Sequence, residues 1–445
     1  MNRRDFCQSA LLPFALQAQQ RPNFLFILAD DLGYGDLSSY GAPDIRTPNI
    51  DAIGTQGMRF TRAYANAPEC TPTRCAFLTG AYQQRVGGLE CAIGTGNVGR
   101  YDEAEWLAAR GELGLPHSER SLGQILKDAG YRTCLSGKWH LGSGPKFSPA
   151  GHGFDEFFGI RSGNVDYFTH LEANGNPDLH NDDRAIERVG YMTDLIADHA
   201  INSITKRDNR PFLHYVAFTA PHSPFQGPGD RGRTITAENW NQGDRNTYAG
   251  MVERMDSAVG RILRELDRQA LARNTLVIFM SDNGGANLSR NAPWKGRKAS
   301  LWEGGIRVPC LARWPEKIRS GAETGQMICT MDWTRTIVNA AGVRNPGRKL
   351  DGMDLLPVLQ GDRPLKRTLF FRYKRASARR SVVIDGDVKY IREGSEEGLY
   401  DLKADPAESR NLAPSRPSAT MLFRKRLAGW EDEVAAGRLR DFRRN

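Results

Sequence analysis

The chain has 445 residues, is 40% apolar and carries a net charge of +9 at neutral pH. That length and apolar content make a globular protein able to bury a large core, in one large domain or two. No apolar run in the mature chain reaches membrane-spanning length, and no nucleic-acid recognition motif accompanies the basic charge.

The first twenty residues, MNRRDFCQSALLPFALQAQQ, read as an export signal. They have a basic start, a short apolar stretch through Leu11, Leu12, Phe14 and Leu16, and a small residue at Ala18. Arg3-Arg4 with Phe6 close behind resembles a twin-arginine leader, which implies a protein exported to the periplasm or the outside of a bacterium. An N-terminus without a role is the alternative.

Next, Phe24-Leu25-Phe26-Ile27-Leu28 is a continuous apolar run that stops at Asp30-Asp31. Runs apolar on both faces belong to buried strands of parallel sheets, whose carboxyl ends are where ligands bind. Thr47-Pro48-Asn49 opens a helix that carries Ile50 and Ile53 inward and ends near Gly57. Then comes Glu69-Cys70-Thr71-Pro72-Thr73-Arg74, read as a helix start because Pro72 suits the first turn. Cys70 would sit among unpartnered amide N–H groups at the positive end of that helix. Arg74, four residues on, returns to the same face with its fork toward Cys70. An ordinary helix with a buried cysteine has the same pattern.

Residues 86–117 are glycine-rich and mixed, and read as a long surface excursion. Ser121-Leu122-Gly123-Gln124 has capping-box spacing and opens a helix that closes at Gly130. Tyr131 to Leu135 is the next strand, running into Ser136-Gly137-Lys138-Trp139-His140. Residues 163–184, with Asp166, Tyr167, His170 and His180, form a long polar loop that is either functional or merely solvated. Thr193 caps a helix through Ile196 and Ile204, and Pro211 to Phe218 is a third strand ending in Ala220-Pro221-His222. A long amphipathic helix from about Tyr248 to Leu266 precedes a fourth strand, Leu276 to Met280, which stops at Ser281-Asp282-Asn283.

This alternation of strand and helix argues for a layered α/β fold. After Asp351 the segments shorten: Ser381–Ile384 and Val388–Ile391 flank Asp385-Gly386 as a hairpin of a small antiparallel sheet. Ala419 to Asn445 reads as a last helix and a frayed basic tail. The expected fold is therefore a large, mostly parallel mixed sheet flanked by helices, with a smaller C-terminal antiparallel sheet packed by a helix. The expected division is a leader at 1–20, a catalytic domain at 21–350 and a C-terminal subdomain at 351–445.

Seven cysteines (Cys7, Cys70, Cys75, Cys91, Cys134, Cys310 and Cys329) show neither a CxxC pair nor zinc spacing. Cys134 lies in a strand and reads as an inert core residue. The late basic run Arg372-Tyr373-Lys374-Arg375 reads as a solvated face, with attraction of a polyanionic substrate as the functional alternative.

Two strand ends deliver adjacent oxygen donors, Asp30-Asp31 and Asp282-Asn283. Three carboxylates there repel one another unless a cation lies between them. Oxygen donors without His or Cys favour calcium or magnesium over zinc. Around that cation stand Arg74, Lys138, His140, His222 and Lys298, a set suited to a substrate with several negative oxygens. Singly, each has a structural reading as a satisfied histidine or a surface lysine.

Cys70-Thr71-Pro72-Thr73-Arg74 followed by Leu78-Thr79-Gly80 resembles the signature of the type I sulfatases, within the alkaline phosphatase superfamily. The resemblance extends to Ala29-Asp30-Asp31-Leu32-Gly33, Gly137-Lys138-Trp139-His140-Leu141-Gly142, Ala220-Pro221-His222, Ser281-Asp282-Asn283-Gly284, Glu303 through Pro309, and Leu399-Tyr400-Asp401-Leu402 with Asp405-Pro406. It implies a sulfuric ester hydrolase in which Cys70 is oxidised by a formylglycine-generating enzyme to formylglycine, whose hydrate attacks sulfur. It also implies calcium, or alternatively magnesium, on Asp30, Asp31, Asp282, Asn283 and the modified Cys70. Arg74 and Lys138 would stabilise the nucleophile, and His140 would assist return of the aldehyde. His222 and Lys298 would hold the sulfate, one of them protonating the leaving alcohol. Ala81 and Cys75 depart from the family pattern, and Cys75 is a potential competitor in redox chemistry. The polar loop from Asp166 to His180 points to a sulfated carbohydrate. The alternatives are a phosphoester hydrolase of the same fold, and a silent module that binds sulfated glycan.

Overall fold

A computed structural model describes residues 21–94, 101–206, 208–362 and 364–444. The proposed leader therefore lies outside the described residues. The run that opens the mature chain forms strand β1 (Asn23–Ala29), buried along its whole length. Its neighbours are β2 (Met58–Tyr64), β3 (Arg132–Lys138), β4 (Glu156–Ile160), β5 (His180–Asn181), β6 (Arg184–Ala185), β7 (Phe212–Ala217), β8 (Thr275–Ser281), β9 (Arg307–Arg313), β10 (Ala322–Thr324) and β11 (Ile328–Cys329). They form one 11-stranded sheet in the order β10-β2-β9-β8-β1-β7-β3-β4-β5-β6, with β11 also on β2.

The central strands β8, β1, β7, β3 and β4 are parallel, and β9 runs against both β8 and β2. Because side chains alternate across a strand, Phe24, Phe26 and Leu28 face one layer of helices and Leu25, Ile27 and Ala29 the other. The first layer brings in Phe77 and Leu78 from the helix Cys70–Thr79, Ile125 from Leu122–Asp128, and Ile337 from Thr330–Ala340. The second brings in Ile50 and Ile53 from Pro48–Thr55, Ile196 from Met192–Ile204, and Met255 and Ile262 from Arg245–Arg268. Each such side chain, fully buried, contributes about 1.5–3 kcal/mol.

Several local expectations need correction. The helix assigned to a Thr193 cap begins at Met192, with Tyr191 at the cap position. The long amphipathic helix starts earlier than its apolar stripe, because the Asp244 carboxylate accepts the Thr247 N–H at 2.7 Å. The described residues of 86–117, that is 86–94 and 101–117, are not a surface excursion: Val86, Leu89, Cys91, Tyr101, Ala104 and Leu107 are all buried. The polar loop at 163–184 is likewise anchored, since Tyr167 is 1% exposed and donates to Thr219 O and His222 O. Cys134 is a core residue whose burial pushes its thiol up to about 12. Cys75 is 0% exposed with its thiol also raised by burial to about 12, so it is shut off from redox chemistry.

The second sheet is antiparallel and runs β12 (Thr368–Arg375), β13 (Ala378–Asp385), β14 (Val388–Glu393), β15 (Glu396–Asp401). Helix Pro417–Glu433 packs on it through Phe423, Leu427 and Trp430. The basic run on β12 is not a solvated face. Arg372 forks onto Glu90 with two bonds of 2.7 Å, Lys374 reaches Glu103 at 2.6 Å, and Arg375 reaches Glu69 at 2.6 Å. The tail is not frayed over its described part, because Arg438 donates to Gly87 O and Gly114 O, and Leu439 is buried.

A buried triad joins the two sheets. Lys389 Nζ of β14 lies 3.1 Å from Glu303 and 2.8 Å from Glu408, with all three side chains 0% exposed. Removing the lysine leaves two buried carboxylates: Glu303 keeps Arg307 at 3.3 Å and the Tyr64 hydroxyl at 2.8 Å, and Glu408 keeps only the Glu303 N–H at 2.8 Å among the described residues. Lys389→Ala is expected to cost about 3–5 kcal/mol, read as a lowered midpoint of thermal or urea unfolding.

Candidate active site

The site begins with strand register. Ala29 of β1 pairs with Ser281 of β8, so Asp30 and Asp282 leave the sheet side by side. The backbone holds them there: Asp282 N–H donates to Ala29 O, and Asp30 N–H donates to Ala220 O, each at 3.0 Å. β3 sits one strand farther, paired to β7 through Gly137 and Ala217, and its last residue extends Lys138 Nζ to 2.5 Å from Asp30 Oδ2. Asp31 takes a left-handed backbone (φ 65) and turns its carboxylate back beside Asn283, whose Nδ2 donates to Asp31 Oδ1 at 2.7 Å.

Cys70 opens the helix at this rim. Its Sγ lies 3.3 Å from Asp30 Oδ1 and 3.6 Å from Lys298 Nζ. The fork expected to point at Cys70 is taken instead by a carboxylate: Arg74 Nε and Nη2 lie 3.2 and 2.8 Å from Asp282 Oδ2. Its Nη1 donates to Lys138 O at 2.9 Å. A planar guanidinium fits that carboxylate better than a sulfur. Lys298 also pairs with Asp31 at 2.7 Å, and His222 Nε2 stands 3.5 Å from the same carboxylate.

The two imidazoles have defined tautomers. His140 takes φ 57, and its Nε2–H donates to Ile93 O, leaving Nδ1 buried and without a partner among the described residues. His222 Nδ1–H donates to Ser223 O at 2.6 Å, which turns Nε2 toward the cluster. Burial, then Lys298, lowers His222 to about 3, and burial with Lys138 and Arg74 holds His140 well below the ordinary imidazole range. Both surroundings favour the neutral imidazole, and an anionic ester beside His222 Nε2 would favour the protonated form that a general acid needs.

Cys70 is a poor thiolate. Burial, then the carboxylates of Asp282 and Asp30, holds it well above the usual thiol range. Burial raises Asp31 too, but Lys298 and His222 outweigh it and keep that carboxyl below the ordinary range. Asp282 is pushed up to about 6 by burial and by Asp30.

These charges are incomplete by themselves. One donor atom each from Asp30, Asp31, Cys70 and His222 lies within 4.8 Å of the others. Asn283 Oδ1 is buried and has no hydrogen-bond partner among the described residues, a state that costs about 1–3 kcal/mol. Asp30, Asp31, Asp282 and Asn283 could therefore hold a hard cation, which would satisfy that oxygen and relieve the carboxylate repulsion.

The residues named from sequence thus converge. Asp30, Asp31, Asp282, Asn283, Cys70, Arg74, Lys138, His222 and Lys298 are linked by the contacts above. His140 joins Cys70, His222 and Lys298 in the wall of a cavity of about 560 Å³.

Residues 22–343 match the sulfatase family model. The chain belongs to the sulfatase family. Residues 296–428 of this sulfatase also match the model of the N-sulphoglucosamine sulphohydrolase C-terminal region. It is 34% identical to mouse steryl-sulfatase over 429 residues, covering 78% of this chain and 66% of that protein. It is also 34% identical to dog N-acetylgalactosamine-6-sulfatase over 384 residues, covering 80% and 69%. The chain thus spans about two thirds of the length of these relatives. Among solved structures it superposes on Ps i-CgsB in complex with k-i-k-neocarrahexaose with a TM-score of 0.80, 28% identity and 93% coverage of both chains. A phosphonate monoester hydrolase of Agrobacterium radiobacter, 20% identical with a TM-score of 0.65, shares the fold.

Sequence reading missed several residues of the sulfatase cavity. Glu69 is 2% exposed and takes Ala92 N–H at 2.6 Å, Tyr373 Oη–H at 3.1 Å and Arg375 at 2.6 Å. It thereby ties the residue before Cys70 to the second sheet. Asn164, Asn174, Trp240 and Asn241 also line the cavity. The one signal available for Glu69 was its place beside Cys70; the others lie in loops without a local pattern.

Proposed function

We propose that this chain hydrolyses sulfate esters of carbohydrates, with Cys70 matured to formylglycine by a formylglycine-generating enzyme and calcium (magnesium alternatively) held by Asp30, Asp31, Asp282 and Asn283. One observation carries the reading: Asp30, Asp31 and Asp282 crowd the rim that holds Cys70, with an Asn283 oxygen unpartnered among the described residues, and Arg74, Lys138, His222 and Lys298 stand on those carboxylates. A nucleophile working on an anionic ester needs that neutralising surround.

Formylglycine supplies a hydrated aldehyde, one hydroxyl to attack sulfur and a second to expel the sulfate afterwards. The cation supplies Lewis-acid stabilisation of negative oxygen. The rest is the work of side chains. Arg74 and Lys138 hold Asp282 and Asp30 in place and offset their charge. His140 keeps Nδ1 free to take a proton, because Ile93 O fixes the other nitrogen. His222 Nε2 and Lys298 Nζ face the position of the sulfate and its leaving oxygen. The amides of Asn164, Asn174 and Asn241 and the carboxylate of Glu172 suit sugar hydroxyls better than a steryl group. The basic leader and this glycan-directed cavity together support an enzyme exported to the periplasm or beyond.

His222→Ala is expected to lower kcat on a sugar sulfate by about 10²–10⁴-fold. On 4-nitrophenyl sulfate, whose leaving group needs no proton, the loss should be much smaller. Steady-state rates on both esters check this, and an equal loss on both would remove His222 from the acid role.

A further inference from the structure

The cavity that holds Cys70 does not end at Lys298. A second space of about 190 Å³ shares His222, Ser223, Asn241 and Lys298 with it. That space in turn shares Ala286, Asn287 and Ser289 with a third cleft of about 640 Å³. The three are neighbours, each bounded in part by residues of the next, from Cys70 past His222 and Lys298 to residues 286–297. A single sugar sulfate is accommodated by the first cavity alone, since sites for small ligands occupy about 300–1,000 Å³.

The chemistry of the third cleft is one-sided. Its wall contains Arg245, Arg290 and Arg297 and no Asp or Glu. Arg245 is committed to structure, 2.8 Å from both Asp36 and Asp44. Arg290 is 43% exposed and only 4.0 Å from its nearest carboxylate, Asp44. Arg297 is exposed, and among the described residues its side chain has Asn287 Oδ1 as its hydrogen-bond partner, at 2.8 Å, with no carboxylate within 4 Å. A guanidinium with spare donors, fixed at one nitrogen, is suited to fork onto a carboxylate or sulfate. Arg297 directly precedes Lys298 in the chain, and the cleft it lines shares Ala286, Asn287 and Ser289 with the space that Lys298 and His222 border.

We propose that Arg290 and Arg297 form a second anion subsite, which holds an oxyanion on a sugar adjacent to the one losing its sulfate. The inference rests on the sulfatase reading of the neighbouring site and adds its substrate class: an anionic oligosaccharide chain rather than a free sugar sulfate. Sulfate and carboxylate share the chemistry that the subsite reads.

The test uses the full-length Cys70→Ala protein, which binds without turnover, with and without the pair Arg290→Ala and Arg297→Ala. The probes are N-acetylgalactosamine 6-sulfate, a carrageenan hexasaccharide with sulfate neighbours, and a chondroitin 6-sulfate hexasaccharide with carboxylate and sulfate neighbours. Calorimetric titration should show at least one hexasaccharide binding about tenfold to a hundredfold tighter than the monosaccharide. The double substitution should abolish that preference and its sensitivity to NaCl, while monosaccharide binding stays within about twofold. Preference for the carrageenan alone marks sulfate as the neighbour read, and preference for the chondroitin alone marks carboxylate. Hexasaccharides that bind no tighter than the monosaccharide, or a substitution that weakens all probes equally, would overturn the subsite. Sulfate release by the unsubstituted enzyme from the same sugars reports on the hydrolase reading separately. No release with the length preference intact would defeat that reading and leave the subsite standing.

Discussion

Cys70→Ala should lower sulfate release by roughly 10⁴-fold or more, the scale seen when a covalent nucleophile is removed, without loss of the fold. Cys70 is 1% exposed, and its loss removes one sulfur from the rim of the helix rather than from the core layers. The melting temperature should therefore stay within a few degrees of the parent. Cys70→Ser separates the aldehyde reading from a simple hydroxyl or thiol nucleophile. A serine hydroxyl in this setting has the same neighbours, Asp30 and Lys298, and can attack sulfur once. It has no second hydroxyl on the same carbon to expel the product. The serine variant should thus give less than one turnover per molecule and retain a sulfate on residue 70, visible as added mass. Sustained turnover by either variant would place the nucleophile elsewhere.

The second large effect concerns the cation. Asp31→Asn preserves the size of a side chain that accepts from Asn283 and pairs with Lys298, but removes its charge. Activity at low calcium should fall by at least about 10³-fold, with partial recovery as calcium is raised. The parent protein should gain thermal stability with calcium, because an ion that binds only the folded state adds about 2.7 kcal/mol at a hundred times its Kd. The variant should lose that gain over the same range. Chelator-treated parent protein should lose activity and recover it with calcium or, for the alternative ion, magnesium. A parent whose melting temperature ignores both ions would contradict the assignment of Asp30, Asp31, Asp282 and Asn283 as ligands.

Much of this site was legible because the chain places its chemistry at abrupt ends of strong local patterns. The apolar runs at Phe24 and Leu276 each stop at an oxygen-donor pair, and parallel register alone then sets Asp30 beside Asp282. Pro72 marked the helix that carries Cys70, and that helix indeed begins at Cys70. What stayed hidden depends on partners remote in sequence. Arg375 is 306 positions from Glu69, and a run of four residues holding three cations gives no sign that each cation faces its own carboxylate. The burial of 86–94 was hidden for a similar reason. Its glycines looked like loop punctuation, yet Gly87 and Gly88 take φ of 77 and 74 where Leu439 and Leu107 pack closely against them. Arg74 shows the limit of local geometry most plainly. Its spacing put it on the face of Cys70, but a carboxylate from a distant strand took the fork.

The central claim is chemical: residue 70 works as an aldehyde hydrate and not as a thiol. Mass spectrometry of the tryptic peptide 63–74, from protein made in its native host or beside a formylglycine-generating enzyme, tests it most directly. The peptide should carry an aldehyde in place of the Cys70 thiol, be captured by a hydrazide probe, and rise in proportion with specific activity. Fully active protein whose peptide holds only the unmodified thiol would contradict the account.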